Sequence, residues 1–135
     1  MRKILPVILS ALFLILAVSC QSVKIEGFDG AKAKEVGSGK TSLHFVVQND
    51  GENNAYFLVK TDKKTVADAL TEANLIAGET SEYGFYVTSV NGVALDYNTD
   101  NAYWAFYIAG EYASVGADKA EIKEDTVYSF VRMNE

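Results

Sequence analysis

Three kinds of hydrophobic pattern follow one another along the chain. The first is an apolar run from Ile4 to Val18, interrupted only by Pro6 and Ser10. Residues 21–40 (QSVKIEGFDGAKAKEVGSGK) then hold four glycines and several charges without sustained periodicity. That composition predicts a tether that lifts the domain off the membrane, with room for local order around Val23–Phe28. From Thr41 onward the pattern is that of a folded domain. Leu43–Val47 and Ala55–Val59 are β-rich runs, and the stretch between them, 48–54 (QNDGENN), has strong turn composition; together they predict a β-hairpin. Over Thr65–Asn74 the period becomes helical: Val66, Leu70 and Ala73 fall at i, i+4 and i+7 and make one apolar stripe. Thr65 is placed to cap this helix, with Asp68 three residues on, and Asn74 and Gly78 suit its end. Strand patterns resume at Gly84–Val90, Val93–Leu95, Tyr103–Ile108, Glu111–Val115 and Thr126–Arg132, with Asn91-Gly92 the strongest hairpin signal among them.

Two strands, a helix and then further strands predict an α+β fold of the β-grasp kind. In that arrangement a mixed or antiparallel sheet carries one helix packed on one face. A chain of 135 residues is expected to hold one such domain.

The N-terminal run has the parts of an export signal. Arg2 and Lys3 supply positive charge, and the apolar stretch is shorter than the roughly 20 residues a membrane-spanning helix needs. It ends in Leu16-Ala17-Val18-Ser19-Cys20, which resembles a lipobox with small residues at the −3 and −1 positions. Residues 1–19 are therefore expected to be a lipoprotein signal peptide and Cys20 the lipidated first residue of the mature protein. The alternatives are ordinary secretion, or an uncleaved anchor with a chance cysteine. Residues 20–40 would be the lipidated cysteine and tether, and 41–135 the domain, held on the extracytoplasmic face of a bacterial cell membrane.

Charge and cysteine content narrow the function classes. Removing Arg2 and Lys3 with the signal leaves ten basic residues against 18 acids, a formal charge of −8. Such a domain repels phosphate backbones, so no nucleic-acid partner is expected. One cysteine and one histidine, His44, provide neither a disulfide framework nor a tetrahedral Cys/His metal site. His44 sits mid-strand and is expected to face solvent. No matched acid/base pair or nucleophile elbow appears, so no catalytic role is expected. The Gly37-Ser38-Gly39-Lys40 fragment has no preceding strand to make it a phosphate loop, and no cofactor is called for.

Several segments together resemble one family: Thr65-Val66-Ala67-Asp68-Ala69-Leu70, Tyr83 through Gly92 (YGFYVTSVNG), Tyr103-Trp104-Ala105-Phe106-Tyr107, Gly110-Glu111-Tyr112, Gly116, Asp118 and Asp125 through Phe130 (DTVYSF). This is the DUF4430 family, the transcobalamin-like C-terminal domain, and the similarity covers roughly residues 41–135. The resemblance implies a small β-grasp-like domain. In the animal cobalamin carriers this domain closes over one side of the corrin ring and an α-helical barrel, which this chain lacks, supplies the other. Bacterial members of the family are often free-standing surface lipoproteins.

The candidate site follows from aromatic content and from that resemblance. Alternation along a strand puts Trp104 and Phe106 on one face and Tyr103 and Tyr107 on the other, and one face can serve as a stacking platform for a flat ligand. Tyr103 and Trp104 would wall the ligand, while Tyr97, Asn98 and Asp100 would add polar contacts from the adjacent loop. The alternative is a half-buried sheet with tyrosines on its outer face. Asp96, Asn98 and Asp100 have the spacing of a calcium loop, but Asn101 and Tyr107 break the rest of that pattern, so an acidic turn without a metal is expected. Two functional readings result. One is a lipid-anchored protein capturing a small molecule, such as cobalamin or another corrinoid, and handing it to a transporter partner. The other is a module that docks onto a protein or an envelope polymer and has no small-molecule ligand.

Overall fold

The computed structural model describes residues 24–49 and 54–134; the signal segment, the lipobox and Cys20 lie outside the described residues. In chain order the elements are β1 (Lys34–Gly37), β2 (Thr41–Gln48), β3 (Asn54–Thr61), α1 (Val66–Glu72), β4 (Ile76–Ser81), β5 (Gly84–Val90), β6 (Val93–Ala94), α2 (Tyr97–Asp100), β7 (Ala102–Ile108), β8 (Glu111–Tyr112) and β9 (Val127–Asn134). Six strands form a mixed sheet in the order β1-β3-β2-β9-β7-β8, and β4-β5-β6 form a separate three-stranded sheet.

The β2–β3 hairpin is in register from Thr41↔Thr61 to Gln48↔Asn54. The chain then crosses through α1 and returns at its end to lay β9 parallel to β2, Phe45 opposite Tyr128 and Val47 opposite Phe130. A hairpin, a crossing helix and a last strand parallel to the first is the β-grasp arrangement expected from the element order. Leu43, Phe45 and Val47 alternate onto the inner face, where they meet Val66, Leu70, Trp104, Phe106, Tyr128 and Phe130 in one core. The Phe45 and Phe130 rings meet edge-to-face at 6.1 Å, and Phe106 stacks on Phe130 at 5.1 Å.

Thr65 caps α1, its hydroxyl accepting a hydrogen bond from the Asp68 N–H at 3.2 Å, and Asn74, at φ 60°, turns the chain out of the helix. The other free N–H groups of the first turn are met by a distant loop: Val66 donates to the Ala120 carbonyl and Ala67 to that of Ala117. The loop is pinned in turn by Tyr128, whose buried hydroxyl accepts from the Lys123 N–H and donates to the Glu121 carbonyl. Thus α1, the 113–126 loop and β9 form one hydrogen-bonded unit, and buried donors left over at a helix start would otherwise be costly.

The small sheet departs from simple alternation at one place. Ala77 pairs with Ser89 and Gly78 with Val87, so β5 carries an extra residue at Thr88. This bulge lets Val87 and Val90, three apart, both reach the core. The Asn91-Gly92 turn into β6 has positive φ at both residues, 49° and 81°, as a type I′ hairpin turn requires. Gly78, expected near the end of the helix, belongs to β4.

The segment expected to be a tether is packed on the sheet over its described length. Lys34–Gly37 adds β1 as an edge strand parallel to β3, Val36 opposite Val59. Before it, residues 24–28 run across the outer face of β2: the Gln48 side chain accepts from the Glu26 N–H at 3.0 Å and donates to the Lys24 carbonyl at 2.8 Å. Phe28 stacks on His44 at 4.1 Å and 8° and meets Tyr56 edge-on. Val46, between His44 and Gln48 on the same face, is fully buried. His44 is therefore covered by Phe28 rather than set out in solvent, because the Gln48 hydrogen bonds and the Phe28 stack hold the strap on the outer face of β2.

Candidate functional site

The exposed large apolar side chains do not scatter. Tyr83 (92% exposed), Tyr86 (54%), Tyr97 (46%), Tyr112 (66%) and Val115 all lie in the small sheet, α2 or the region of β8. They border three shallow depressions that adjoin one another at Tyr86 and Phe85. The central one is an open groove of about 390 Å³ between β5, β7 and the loop after β8. Its walls are Tyr86, Tyr103, Tyr112 and Val115, with Trp104 and Phe106 at the floor, and no charged side chain lines it.

The elements explain why these rings stand together. Antiparallel pairing sets Tyr107 opposite Tyr112, their rings edge-to-face at 5.6 Å. Phe85 and Val87 turn into the protein, which leaves Tyr86 outward and opposite Glu79 of β4. Trp104 is only 6% exposed, and its indole N–H donates to the Val93 carbonyl at 3.0 Å. It fixes β7 to the hairpin and offers the groove only part of its surface.

Of the residues expected to form a site, Tyr103 and Trp104 line this groove. Tyr97, Asn98 and Asp100 line the neighbouring depression together with Tyr86, Glu79 and Asp96. The two groups touch where the Tyr97 and Tyr103 rings approach to 6.3 Å. The acidic turn is a short helix, α2, with reciprocal caps: the Asp96 carboxylate accepts from the Asn98 N–H at 2.9 Å, and the Asp100 carboxylate from the Asp96 N–H at 2.8 Å. One oxygen of each is thus spent on backbone donors. Among the described residues no group of three or more His, Cys, Asp or Glu side chains is arranged to hold a metal ion.

Sequence reasoning missed Tyr86 and Tyr112, the two outer walls. Tyr86 was legible as the outward residue of the alternating Phe85-Tyr86-Val87. Nothing in the sequence placed it beside Tyr103, which depends on how the small sheet packs on β7.

Charge divides along the same line. Between Thr65 and Asp118 there is no lysine, arginine or histidine, and there are eight acids. The rest of the chain has ten acids and twelve lysines and arginines, so the whole acidic surplus lies on the elements that build the groove and its surroundings. Glu72 pairs with Lys63 at 4.0 Å. Among the described residues Glu79, Glu82, Asp96, Asp100, Glu111 and Asp118 have no cationic partner. The Asp118 carboxylate lies against two glycines: a Cβ at Gly116 would come within 2.6 Å of it, and one at Gly84 within 3.1 Å. Glycine at 116 is what lets that carboxylate sit at the groove's end.

Residues 63–128 match the model of DUF4430, a domain of unknown function. The chain carries a DUF4430 domain. A search of curated proteins finds no match. Among solved structures, the DUF4430 chain is similar to a protein from Ruminococcus gnavus provisionally named as metal-binding, with TM-score 0.66, 22% identity, and coverage of 71% of this chain and 99% of that one. It is also similar to haptocorrin, a transcobalamin-family protein solved in complex with Cbi, with TM-score 0.55 and 17% identity over 70% of this chain. The DUF4430 chain covers 25% of haptocorrin. At these identities the likeness is one of fold.

Proposed function

We propose that this DUF4430 protein is a lipid-anchored binding protein of the extracytoplasmic membrane face, capturing a small organic molecule in the aromatic groove without catalysing a reaction. The observation that carries this reading is the groove itself: Tyr86, Tyr103, Tyr112 and part of Trp104 converge on one depression that no charged side chain lines. Corrinoids are the ligand class to test first, because haptocorrin, which shares the fold, was solved with Cbi. An open groove covers one side of a ligand, whereas tight small-molecule sites enclose about 70–90% of the ligand surface. The domain would therefore hold its ligand weakly or share it with a partner such as a transporter.

The test is a titration of residues 21–135 with cobalamin and cobinamide, following Trp104 fluorescence and checked by calorimetry. Saturable binding at micromolar concentration, lost in Tyr103→Ala, is the expected result. No binding at millimolar ligand removes corrinoids for the isolated domain. The competing reading, docking onto a protein or an envelope polymer, then leads; it draws on the unpaired outer edge of β4 and on Tyr83, 92% exposed beside it.

A further inference from the structure

We infer that the ligand of the aromatic groove is an organic cation, an apolar or flat body bearing a quaternary ammonium or protonated amine; this rests on the groove being the binding site. Two independent features converge on that chemistry. The first is the wall: Tyr86, Tyr103 and Tyr112 line a depression that has no charged side chain in its lining, and aromatic rings attract a cation within about 6 Å of their centroids. The second is the field around it. Glu79 stands opposite Tyr86 across the β4–β5 pair, Glu111 precedes Tyr112, and Asp118 abuts Gly116 of the groove wall.

Segregation rather than total charge decides the matter. An acidic balance serving solubility would be spread over the chain. Here 54 consecutive residues carry eight acids and no base, while the remainder of the chain has no acidic surplus. Lys119 borders the adjoining depression, where Asp68, Glu82 and Asp118 outnumber it. Unpaired carboxylates beside an uncharged depression raise the local concentration of cations and lower that of anions: Glu79 lines the depression that adjoins the groove at Tyr86, and Asp118 the one that adjoins it at Phe85.

The experiment uses the mature chain in detergent and three probes of one shape: phenyltrimethylammonium, its neutral isostere tert-butylbenzene, and benzenesulfonate. Tyrosine ring resonances are followed by NMR. The expected result is saturable movement of the Tyr86, Tyr103 and Tyr112 signals with the ammonium probe at millimolar concentration and none with the sulfonate. The double variant Glu79→Gln/Glu111→Gln should weaken ammonium binding by about threefold, as should raising the salt from 20 mM to about 500 mM. Equal or tighter binding of the sulfonate or the neutral probe overturns the cation and leaves the groove as the site. Silence from all three overturns the groove as well. Movement caused by hexalysine alone overturns the small cation in favour of a basic protein partner.

Discussion

The two parts of this domain are built on opposite rules. The hairpin β2–β3, the strap over it and β9 balance their charges, bury their aromatic rings and bond their irregular segments to side chains such as Gln48 and Tyr128. The elements between Thr65 and Asp118 carry acids without bases and leave Tyr83, Tyr86, Tyr97 and Tyr112 in solvent. Exposed aromatic side chains bring no burial energy to the fold, and unpaired like charges oppose compaction. The difference teaches that the second part is shaped by something other than its own stability, whereas the first is a scaffold.

The largest test of that division is Phe45→Ala. Phe45 is fully buried against Phe57 and Phe130, and removing such a ring costs about 3–5 kcal/mol. Urea denaturation should show a loss of that size, and a loss below about 1 kcal/mol would mean the scaffold lies elsewhere. An intermediate effect is expected at Phe28→Ala, which strips the ring from His44. The stacked pair and its buried area predict a cost of about 1–2 kcal/mol; an unchanged midpoint would show that the strap adds nothing to the fold. The smallest effect belongs to Tyr86→Ala, expected to stay within about 0.5 kcal/mol of the parent as an exposed surface position. A larger destabilisation would make Tyr86 part of the scaffold and erase the contrast.

The scaffold was legible because its residues obey periodic rules. Leu43, Phe45 and Val47 alternate, Thr65 caps, and Asn91-Gly92 turns, and each signal acts within a few residues of itself. The edges were not legible. β1 is exposed at Lys34, Glu35 and Gly37, and β4 at most of its positions after Ile76, so neither strand needs an alternating face and neither shows one. Phe28 stood as a single ring in a glycine-rich stretch, with no local sign that His44 would receive it. At the site, the aromatic richness of β7 pointed to Tyr103 and Trp104, and the α2 loop to Tyr97. What could not be read was the meeting of β5 with β7, which depends on the bulge at Thr88 and on long-range packing.

The strap also sets a distance. Lys24 is bonded to the end of β2, and four residue steps separate it from Cys20, about 14 Å at full extension. A domain of this size is about 30 Å across. With a lipid on Cys20, as proposed, the domain would never stand a full width from the headgroups. It would meet only what comes to the membrane surface.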